Sequence, residues 1–389
     1  MNYITKNDTI IFDPSFNDEL DCQLLNNYKK IIFSDYVLDE SLFEKYENNN
    51  FEDLKYNGSK FNQLVDNLSL IKSSITHLTF GFNFNQSVNN LPSSITHLTF
   101  GYYFNQMIDN LPSSITHLTF GYYSIFNQSA NNLPHSITHL IFCSKFNQLV
   151  NNLPSSITHL TFGSNFNQSV DNLSLIKSSI THLTFGEDFN QSVDNLPLTI
   201  KHLTFGEDFN QLVDNLPSSI THLTFGYYFN QSVDNLSLIK SSITHLTFGL
   251  NFNQSVNNLP SSITHLTLGL RFNQLVDNLP STITHLTFGS CFNQSIDNLP
   301  SSITHLTFGS CFNQLIDNLP SSITHLTFGR DFNQSIDNLP RLIEYIQLPS
   351  KYEKKILNIP KKLKVIKCSE KYKHSNDFVG LEVIPILKN

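Results

Sequence analysis

The chain has 389 residues and is poor in charge, with 14% Asp, Glu, Lys and Arg against about 25% in an average soluble protein. Its 14 glycines and 15 prolines are too few for a collagen-like or Gly/Pro-rich disordered chain. The formal net charge of −8 argues against nucleic acid or an anionic membrane as the main partner, because both require a basic face.

Residues 1–60 are predicted to be degenerate repeats that cap a longer array, since the open ends of stacked repeats need covering. Apolar runs at Ile10–Phe12 and Ile31–Phe33 are typical of weak strands, and Phe51–Tyr56 is predicted to be a strand that leads into the array. The start of the chain lacks the basic region and long apolar stretch of a signal peptide, and no run approaches the ~18 apolar residues of a membrane span.

Residues 61–340 form an array of near-identical units. The tripeptide Phe-Asn-Gln occurs fourteen times, and nine of the thirteen intervals are 20 residues long. One interval is 22, through the addition of Ser124 and Ile125, and three are 23. In the longest intervals Leu-Pro is replaced by Leu-Ser-Leu-Ile-Lys, at Leu68–Lys72, Leu173–Lys177 and Leu236–Lys240. Length changes confined to these places predict loops there.

Each unit contains a short predicted strand. In Ile303–Phe308 the apolar residues follow the LxxLxL spacing of leucine-rich repeats. Alternation along a strand directs Leu306 and Phe308 inward and His305 outward. Gly309 is predicted to end the strand.

A 20-residue unit buries its apolar face only by stacking on its neighbours, which places equivalent side chains in columns ~4.8 Å apart. Two such columns account for 26 of the 33 phenylalanines, and we predict that they form the core. The Asn column of Phe-Asn-Gln, which includes Asn293 and Asn313, is predicted to point inward as well and to bond loop backbone.

The run Phe-Asn-Gln-x-Ile-x-x-Leu-Pro-x-Ser-Ile-x-x-Leu-x-Phe-Gly resembles the FNIP repeat, a leucine-rich-repeat-like family found mainly in amoebae and the giant viruses that infect them. The resemblance spans Phe61 to Pro340. It implies a mainly β repeat solenoid, right-handed and leucine-rich-repeat-like, with a parallel sheet on the concave face. It also implies an interaction role and brings no catalytic residues.

Residues 341–389 keep the period after the motif fades and are predicted to be C-terminal capping repeats. Ile343–Leu348 corresponds to Leu363–Cys368 one period later, and Tyr352 and Tyr372 fall where Phe-Asn-Gln would begin. These capping repeats are basic.

The two ends carry opposite charge. Residues 1–60 hold 6 basic and 12 acidic groups, whereas residues 341–389 hold 11 basic and 5 acidic groups. The simplest interpretation is that charged caps keep apolar ends soluble. The alternative is a weak head-to-tail self-association that salt would screen.

One histidine per unit shares the same outward strand position and is predicted to line the concave face in a file. A solvated ladder of neutral rings is the simplest expectation, and metal or proton binding is the alternative. A straight file presents few converging ligands, so no metal or other cofactor is predicted. Because neighbouring imidazolium ions repel, mild acid is expected to loosen the array. The file includes His77, His97, His117, His139, His159, His182, His202, His222, His245, His265, His285, His305 and His325.

The two residues after each strand-ending glycine vary freely between otherwise similar units. Stacked units would place them in one stripe along a rim of the solenoid. Tyrosine is a frequent interface anchor, so we predict that this rim selects a protein partner, although drift on exposed loops would give the same variability. The candidate residues are the aromatic Tyr102, Tyr103, Tyr122 and Tyr123, the acidic Glu187, Asp188, Glu207 and Asp208, and then Tyr227 and Tyr228.

The five cysteines are an odd number without a CxxC pair, which favours a reducing compartment and predicts a cytoplasmic location, in the host cytoplasm if the chain is viral. Cys291 and Cys311 lie one unit apart at a separation that would permit a disulfide, but free thiols are expected there.

No GxSxG, HExxH, P-loop or GxGxxG motif is present, and no unit differs enough to hold a catalytic constellation. We therefore predict a non-enzymatic protein–protein interaction scaffold that contacts neither nucleic acid nor membrane. The alternatives are a structural rod assembled through its caps and, in third place, metal or proton binding by the histidine file.

Overall fold

The computed structural model describes residues 2–70, 75–174, 179–238, 242–375 and 378–386. Contacts between residues divide the chain into two compact units. Unit 1 comprises Met1–Gln191 with Asn195–Thr199, and unit 2 comprises Ser192–Asp194 with Ile200–Asn389. Within the described ranges no helix combines the length and apolar character needed to cross a bilayer.

Unit 1 is a stack of short strands. Its described strands are β1 (Tyr3–Lys6), β2 (Thr9–Phe12), β3 (Lys30–Phe33), β4 (His77–Thr79), β5 (His97–Phe100), β6 (His117–Phe120), β7 (His139–Ile141), β8 (His159–Thr161) and β9 (His182–Thr184). β1 is antiparallel to β2, with Tyr3 opposite Phe12. From β2 to β9 each strand pairs in parallel with the next.

Unit 2 continues the same pattern in parallel strands. They are β10 (His202–Thr204), β11 (His222–Thr224), β12 (His245–Thr247), β13 (His265–Thr267), β14 (His285–Thr287), β15 (His305–Thr307), β16 (His325–Thr327), β17 (Tyr345–Gln347), β18 (Val365–Cys368) and β19 (Glu382–Pro385). Each pairs with the next in parallel. The prediction of a mainly β repeat solenoid with a parallel sheet is confirmed.

The strands pair residue for residue. His305 lies opposite His325 and Leu306 lies opposite Leu326, which is an offset of one repeat. A slip by a single residue would turn the apolar side chains to solvent and the histidines into the core. The apolar alternation within each strand therefore specifies the register along the whole stack.

The core consists of columns of apolar side chains, as the repeat predicts. In one turn Ile303, Leu306, Phe308 and Phe312 are each at most 2% exposed. The rings of Phe308 and Phe312 stack with centroids 3.8 Å apart, and Phe328 in the next turn lies 5.8 Å from Phe308. Burial of one such side chain contributes ~1.5–3 kcal/mol, so each added turn stabilises its neighbours.

Glycine after most strands of the array allows two turns to approach closely. A Cβ built on Gly309 would lie 2.1 Å from the carbonyl oxygen of Gly289, and one on Gly289 would lie 2.0 Å from that of Gly269. Real Cβ atoms do not approach backbone oxygen so closely. Gly289 and Gly309 are therefore required at their positions for steric reasons.

Cys143 stands at a position that is glycine in the neighbouring repeats. It follows the turn that contains the Ser124 and Ile125 insertion, in which Ser124 is fully buried. A Cβ on Gly121, in that preceding turn, would meet its nearest atom, the Phe100 carbonyl oxygen, at 3.2 Å. The close glycine contact is therefore relaxed between Gly121 and the turn before it.

The Asn column does not point inward, so that prediction is wrong in its direction. Asn293 and Asn313 are exposed, and the equivalent residues are exposed or half-buried. The preceding phenylalanine fills the core, and its neighbour in an extended segment faces the other way. The predicted bond from the Asn side chain to loop backbone is present, because the backbone amide of Asn313 donates to Asn293 Oδ1 at 2.9 Å. In addition, Gln314 Nε2 donates to the backbone carbonyl of Asn293 at 3.0 Å.

The long repeats begin their insertions with a short 3-10 helix. These helices span Asp66–Leu70, Asp171–Ser174 and Asp234–Ser237. Each buries one leucine, such as Leu68, against the core. The rest of the predicted loops, residues 71–74, 175–178 and 239–241, lies outside the described residues.

The N-terminal segment contains more than degenerate repeats. Ile10–Phe12 and Ile31–Phe33 fall within strands β2 and β3, as predicted. Phe51–Tyr56 does not form a strand, because Tyr56 makes a single isolated bridge to Tyr36. Two helices complete the segment, α1 (Cys22–Leu25) and α2 (Leu42–Asn48).

Helix α2 lies over the outer face of the first strands, where later strands carry histidine and threonine. Its Leu42 is buried together with Ile11 and Ile32 in a small second core. Ile32 pairs with Thr79 of β4, so apolar and polar residues meet at this strand pair. The helix therefore covers the part of the sheet whose outer face is apolar.

The C-terminal segment continues the stack with tyrosine in place of phenylalanine. Tyr352 and Tyr372 are each 4% exposed, and the Tyr352 ring lies 6.3 Å from that of Phe332 and 6.1 Å from that of Tyr372. Each hydroxyl reaches backbone, Tyr352 donating to the Gln334 carbonyl at 3.0 Å. Burial accordingly raises the Tyr352 pKa. The predicted alignment of these tyrosines with Phe-Asn-Gln is correct.

Candidate functional site

The variable residues form a rim because the loops that carry them are bonded in register. The Tyr103 amide donates to the Phe82 carbonyl at 2.9 Å, and the Cys311 amide donates to the Ser290 carbonyl at 2.8 Å. Backbone bonding thus continues from the strand into the loop. The variable residues of consecutive turns are therefore held one turn apart on a rigid support.

The predicted aromatic patch of unit 1 exists and is exposed. Tyr102 and Tyr103 pack edge to face at 4.8 Å, and Tyr122 and Tyr123 do the same at 4.9 Å. Tyr103, Tyr122 and Tyr123 are 42%, 54% and 74% exposed. Tyr102 is half-buried because its ring stacks on Phe82 at 4.7 Å.

The N-terminal segment extends this patch, which the sequence analysis did not predict. Tyr56 packs edge to face on Phe82 at 5.9 Å and on Tyr36 at 5.7 Å. Tyr36 in turn stacks on Phe51 at 4.8 Å. The sequence offered one signal for this extension. Phe82 is the aromatic rim residue closest to the non-repeating N-terminal segment.

Tyr122 joins the aromatic and acidic parts of the rim in unit 1. Its hydroxyl donates to Glu187 Oε1 at 3.0 Å and lies 2.9 Å from Ser164 Oγ. Glu187 and Asp188 are both exposed. Although 65 residues separate Tyr122 from Glu187 in the sequence, stacking makes them neighbours, and the aromatic patch of unit 1 adjoins the acidic residues of the same unit.

The rim residues of unit 2 follow the same arrangement. Glu207 and Asp208 are exposed, and Tyr227 and Tyr228 are 39% and 48% exposed. The two tyrosine rings lie 4.7 Å apart, and the Tyr228 amide donates to the Glu207 carbonyl at 2.8 Å. An acidic pair and an aromatic pair thus occupy consecutive turns here.

The histidine column forms a stacked file on the outer sheet face, here called the His face. In unit 2 the rings of His245, His265, His285, His305 and His325 follow one another at 4.1 to 4.2 Å, with planes 11 to 12° apart. Tyr345 continues the file at 5.8 Å from His325. The predicted ladder is present, and its rings lie closer together than the ~4.8 Å backbone spacing.

Most histidines of the file are also oriented by the threonine before them, a contact that the sequence analysis missed, whereas His202 follows Lys201. His305 Nδ1 lies 2.9 Å from Thr304 Oγ1, and that hydroxyl donates to the Thr284 carbonyl at 3.2 Å. When the Thr304 hydroxyl donates to that carbonyl, His305 Nδ1 is the donor to Oγ1. The Thr-His dipeptide in nearly every unit was the signal for this contact.

Burial lowers the pKa of most histidines on the His face. Partial desolvation is the largest cause, and repulsion from neighbouring imidazoles adds to it for residues such as His117, His285 and His305. At His77 the Lys30 ammonium also lowers the pKa, while Asp8 raises it. The pKa is lowered at His77, His97, His117, His139, His222, His265, His285 and His305.

The file geometry limits what the His face can coordinate. In the part of the chain that the structure describes, no group of three or more His, Cys, Asp or Glu side chains is arranged to hold a metal ion. At histidines that follow a threonine, such as His305, the hydroxyl occupies Nδ1 and the ring presents its other nitrogen. Successive rings then offer one nitrogen each along a line.

Parallel strands, stacked aromatic columns and repeating loops together define the class of leucine-rich-repeat-like solenoids. The FNIP Repeat family matches more than half of the sequence, and the chain belongs to this family. The matched segments are residues 84–123, 146–175, 176–208, 209–238, 239–271, 255–291, 272–311, 292–331 and 312–351.

Among solved structures, the chain is similar to the giant-virus protein CroV588, described as a novel circular LRR protein structure. The two are 32% identical with a TM-score of 0.59, over 98% of this chain and 72% of CroV588. YopM from Yersinia enterocolitica WA-314 is 15% identical with a TM-score of 0.40, over 76% of this chain and 60% of YopM. No curated protein sequence matches the chain.

Proposed function

We propose that this FNIP-repeat protein is a non-enzymatic scaffold that binds a protein partner through its rim, in the cytoplasm. The observation that carries the proposal is the exposed aromatic patch of unit 1 with its adjoining carboxylates. Tyr103, Tyr122 and Tyr123 expose large rings on a support whose other repeating positions are nearly invariant.

The physical argument rests on area and rigidity. An aromatic side chain buries 150–250 Å² on full burial, and interface energy concentrates in a few such anchors. The loops are bonded turn to turn, as at the Tyr103 amide, so a partner would order little of this chain on binding. The Tyr122–Glu187 bond further orients one ring of the patch.

A capture experiment tests the rim. The chain and a variant with serine at Tyr102, Tyr103, Tyr122 and Tyr123 are immobilised and exposed to amoebal cytosol, and circular dichroism verifies that both are folded. We expect a discrete protein that the parent chain retains and the rim variant loses, because the variant lacks the aromatic anchors.

A matched control changes the His face instead. Glutamine at His97, His117 and His139 removes three rings from the same turns and leaves the rim intact. Retention of the partner by this control supports the rim, whereas loss by the control and retention by the rim variant would move the binding site to the His face. A chain that retains no protein would contradict the scaffold proposal.

A second candidate function is self-assembly through the charged caps. It is favoured by exposed lysines that follow one another along the C-terminal segment, namely Lys351, Lys354, Lys355, Lys361, Lys362 and Lys364. The N-terminal segment exposes carboxylates, including Glu40, Glu44 and Glu47. Complementary charge of this kind supports association of one copy with the next, and its test is given in the Discussion.

A further inference from the structure

Cys291 and Cys311 occupy the same rim position in two consecutive turns of unit 2. The strands that precede them pair in register, with Thr287 opposite Thr307. The Cys311 amide donates to the Ser290 carbonyl at 2.8 Å, so the backbone ladder continues to the cysteines themselves. Equivalent residues in such a ladder lie ~4.8 Å apart, inside the 4.4–6.8 Å range of Cα separations that a disulfide spans.

The two thiols are more accessible than those of Cys143 and Cys368, while Cys22, outside the pair, is partly exposed like Cys291. All five cysteines are free, but Cys143 and Cys368 are buried, and burial raises the pKa of both thiols. Cys311 is exposed and Cys291 is partly exposed. The pair is therefore open to a reagent from solvent, whereas the thiols in the core are shielded.

We propose that Cys291 and Cys311 form an oxidation-responsive dithiol site whose co-substrate is a low-molecular-weight disulfide such as oxidised glutathione. The thiolate of Cys311 attacks one sulfur of oxidised glutathione, which forms a mixed disulfide and releases one glutathione. The thiolate of Cys291 then attacks the Cys311 sulfur and releases the second glutathione. Two protein thiols become one disulfide, one glutathione disulfide is reduced, and the two thiol protons end on the two glutathiones.

The disulfide would staple two neighbouring rim loops. The bond closes a loop of one repeat and restricts the local opening of that turn, because the two loops can no longer separate. Reduction by excess glutathione would reverse the reaction. The proposal concerns unit 2 alone and stands whether or not the rim binds a partner.

Peptide mapping tests the assignment on the full chain. The protein is incubated with oxidised glutathione, its remaining thiols are alkylated, and it is cleaved at aspartate. Asp297 lies between the two cysteines, so cleavage there places Cys291 and Cys311 on different peptides. We expect the two peptides to be joined in the oxidised sample and separated by dithiothreitol, while Cys143 and Cys368 become alkylated only after unfolding.

A geometric control moves one thiol by a single turn. The double variant Cys311→Ser, Asp331→Cys places the thiols at positions 291 and 331, two turns or ~9.6 Å apart, which exceeds the reach of a disulfide. We expect this variant to carry glutathione on the separate peptides without an internal link. The proposal is wrong if the parent chain gives only glutathione adducts, alkylated thiols or dimers linked between chains, or if the control forms the internal link equally well.

Discussion

At the scale of single residues, the positions that recur in nearly every repeat each meet a physical requirement. Phe308 and Leu306 are present because a turn must bury apolar area against both neighbours. The Asn293 side chain accepts a hydrogen bond from the backbone amide of Asn313, which lies outside the strands and has no partner in the sheet. The near-identity of the units follows from applying the same requirements at every turn.

The strand-ending glycine gives a prediction at this scale. Gly309→Ala places a Cβ against the Gly289 carbonyl oxygen, which is part of a rigid backbone and cannot move aside without separating two turns. We expect a loss of about 1–3 kcal/mol in the free energy of unfolding, the usual range for overpacking. The measurement is the urea midpoint followed by circular dichroism.

Gly121→Ala is the matched control for this substitution. Its nearest atom would be the Phe100 oxygen at 3.2 Å, so a small adjustment accommodates the new Cβ. The expected loss is below about 1 kcal/mol. Equal losses in the free energy of unfolding for the two substitutions would show that the close approach of two turns at glycine does not determine the stability of the stack.

At the scale of elements, stacking on the His face couples proton binding between neighbouring rings such as His285 and His305. Its rings stack at 4.1 to 4.3 Å, as at His285–His305 and His139–His159, so a proton on one ring raises the cost of a proton on the next. The sheet ladder holds the rings at this distance. Proton binding is therefore linked to the folding of the strands themselves.

The direction of the pKa shifts predicts acid sensitivity. Because the pKa of His265, His285 and His305 is lowered in the folded chain, the unfolded chain binds more protons once the pH falls below ~6.5. The stabilisation is present above that pH and is lost as the pH decreases toward the folded-state pKa. We expect the free energy of unfolding to fall between neutral pH and about pH 5.5.

Glutamine at His265, His285 and His305 provides the comparison for the acid effect. Glutamine does not titrate, so this variant should lose less stability than the parent chain over the same pH interval. Denaturant unfolding at several pH values gives both slopes. Identical slopes would mean that these rings do not couple protonation to folding.

At the scale of the whole molecule, each terminal segment adds elements that the repeats of the array lack. The N-terminal segment adds an antiparallel strand, Tyr3–Lys6, and the helix Leu42–Asn48 over the outer sheet face. The C-terminal segment ends in the strand Glu382–Pro385, which is largely exposed. The predicted boundaries of the array, residues 61 and 340, stay predictions.

The opposite charges of the terminal segments predict salt-sensitive self-association. The measurement is sedimentation velocity over a range of protein concentrations at low and at high salt. Because salt shortens the screening length from ~30 Å at 0.01 M to ~3 Å at 1 M, we expect larger species at low salt that dissociate at high salt.

Charge reversal separates a specific association from a general effect of low salt. A variant with glutamate in place of Lys354, Lys355, Lys361 and Lys362 lacks the basic cluster, while the core of the segment keeps its buried side chains. This variant should remain monomeric at low salt. If it associates like the parent chain, or if the parent is monomeric under all conditions, the assembly candidate is wrong.

The sequence alone determined the features that follow from the repeat. These are the strand at His305–Thr307, its register, the inward columns of apolar side chains and the stacked histidines. A unit that cannot bury its own apolar face must stack, and stacking of identical units leaves one register. The tertiary structure decided the rest. It placed the Asn column at the surface, oriented His305 through Thr304, and brought Tyr122 to Glu187. These contacts depend on side-chain conformations and on segments without a repeat, so they follow from packing between turns and not from the period.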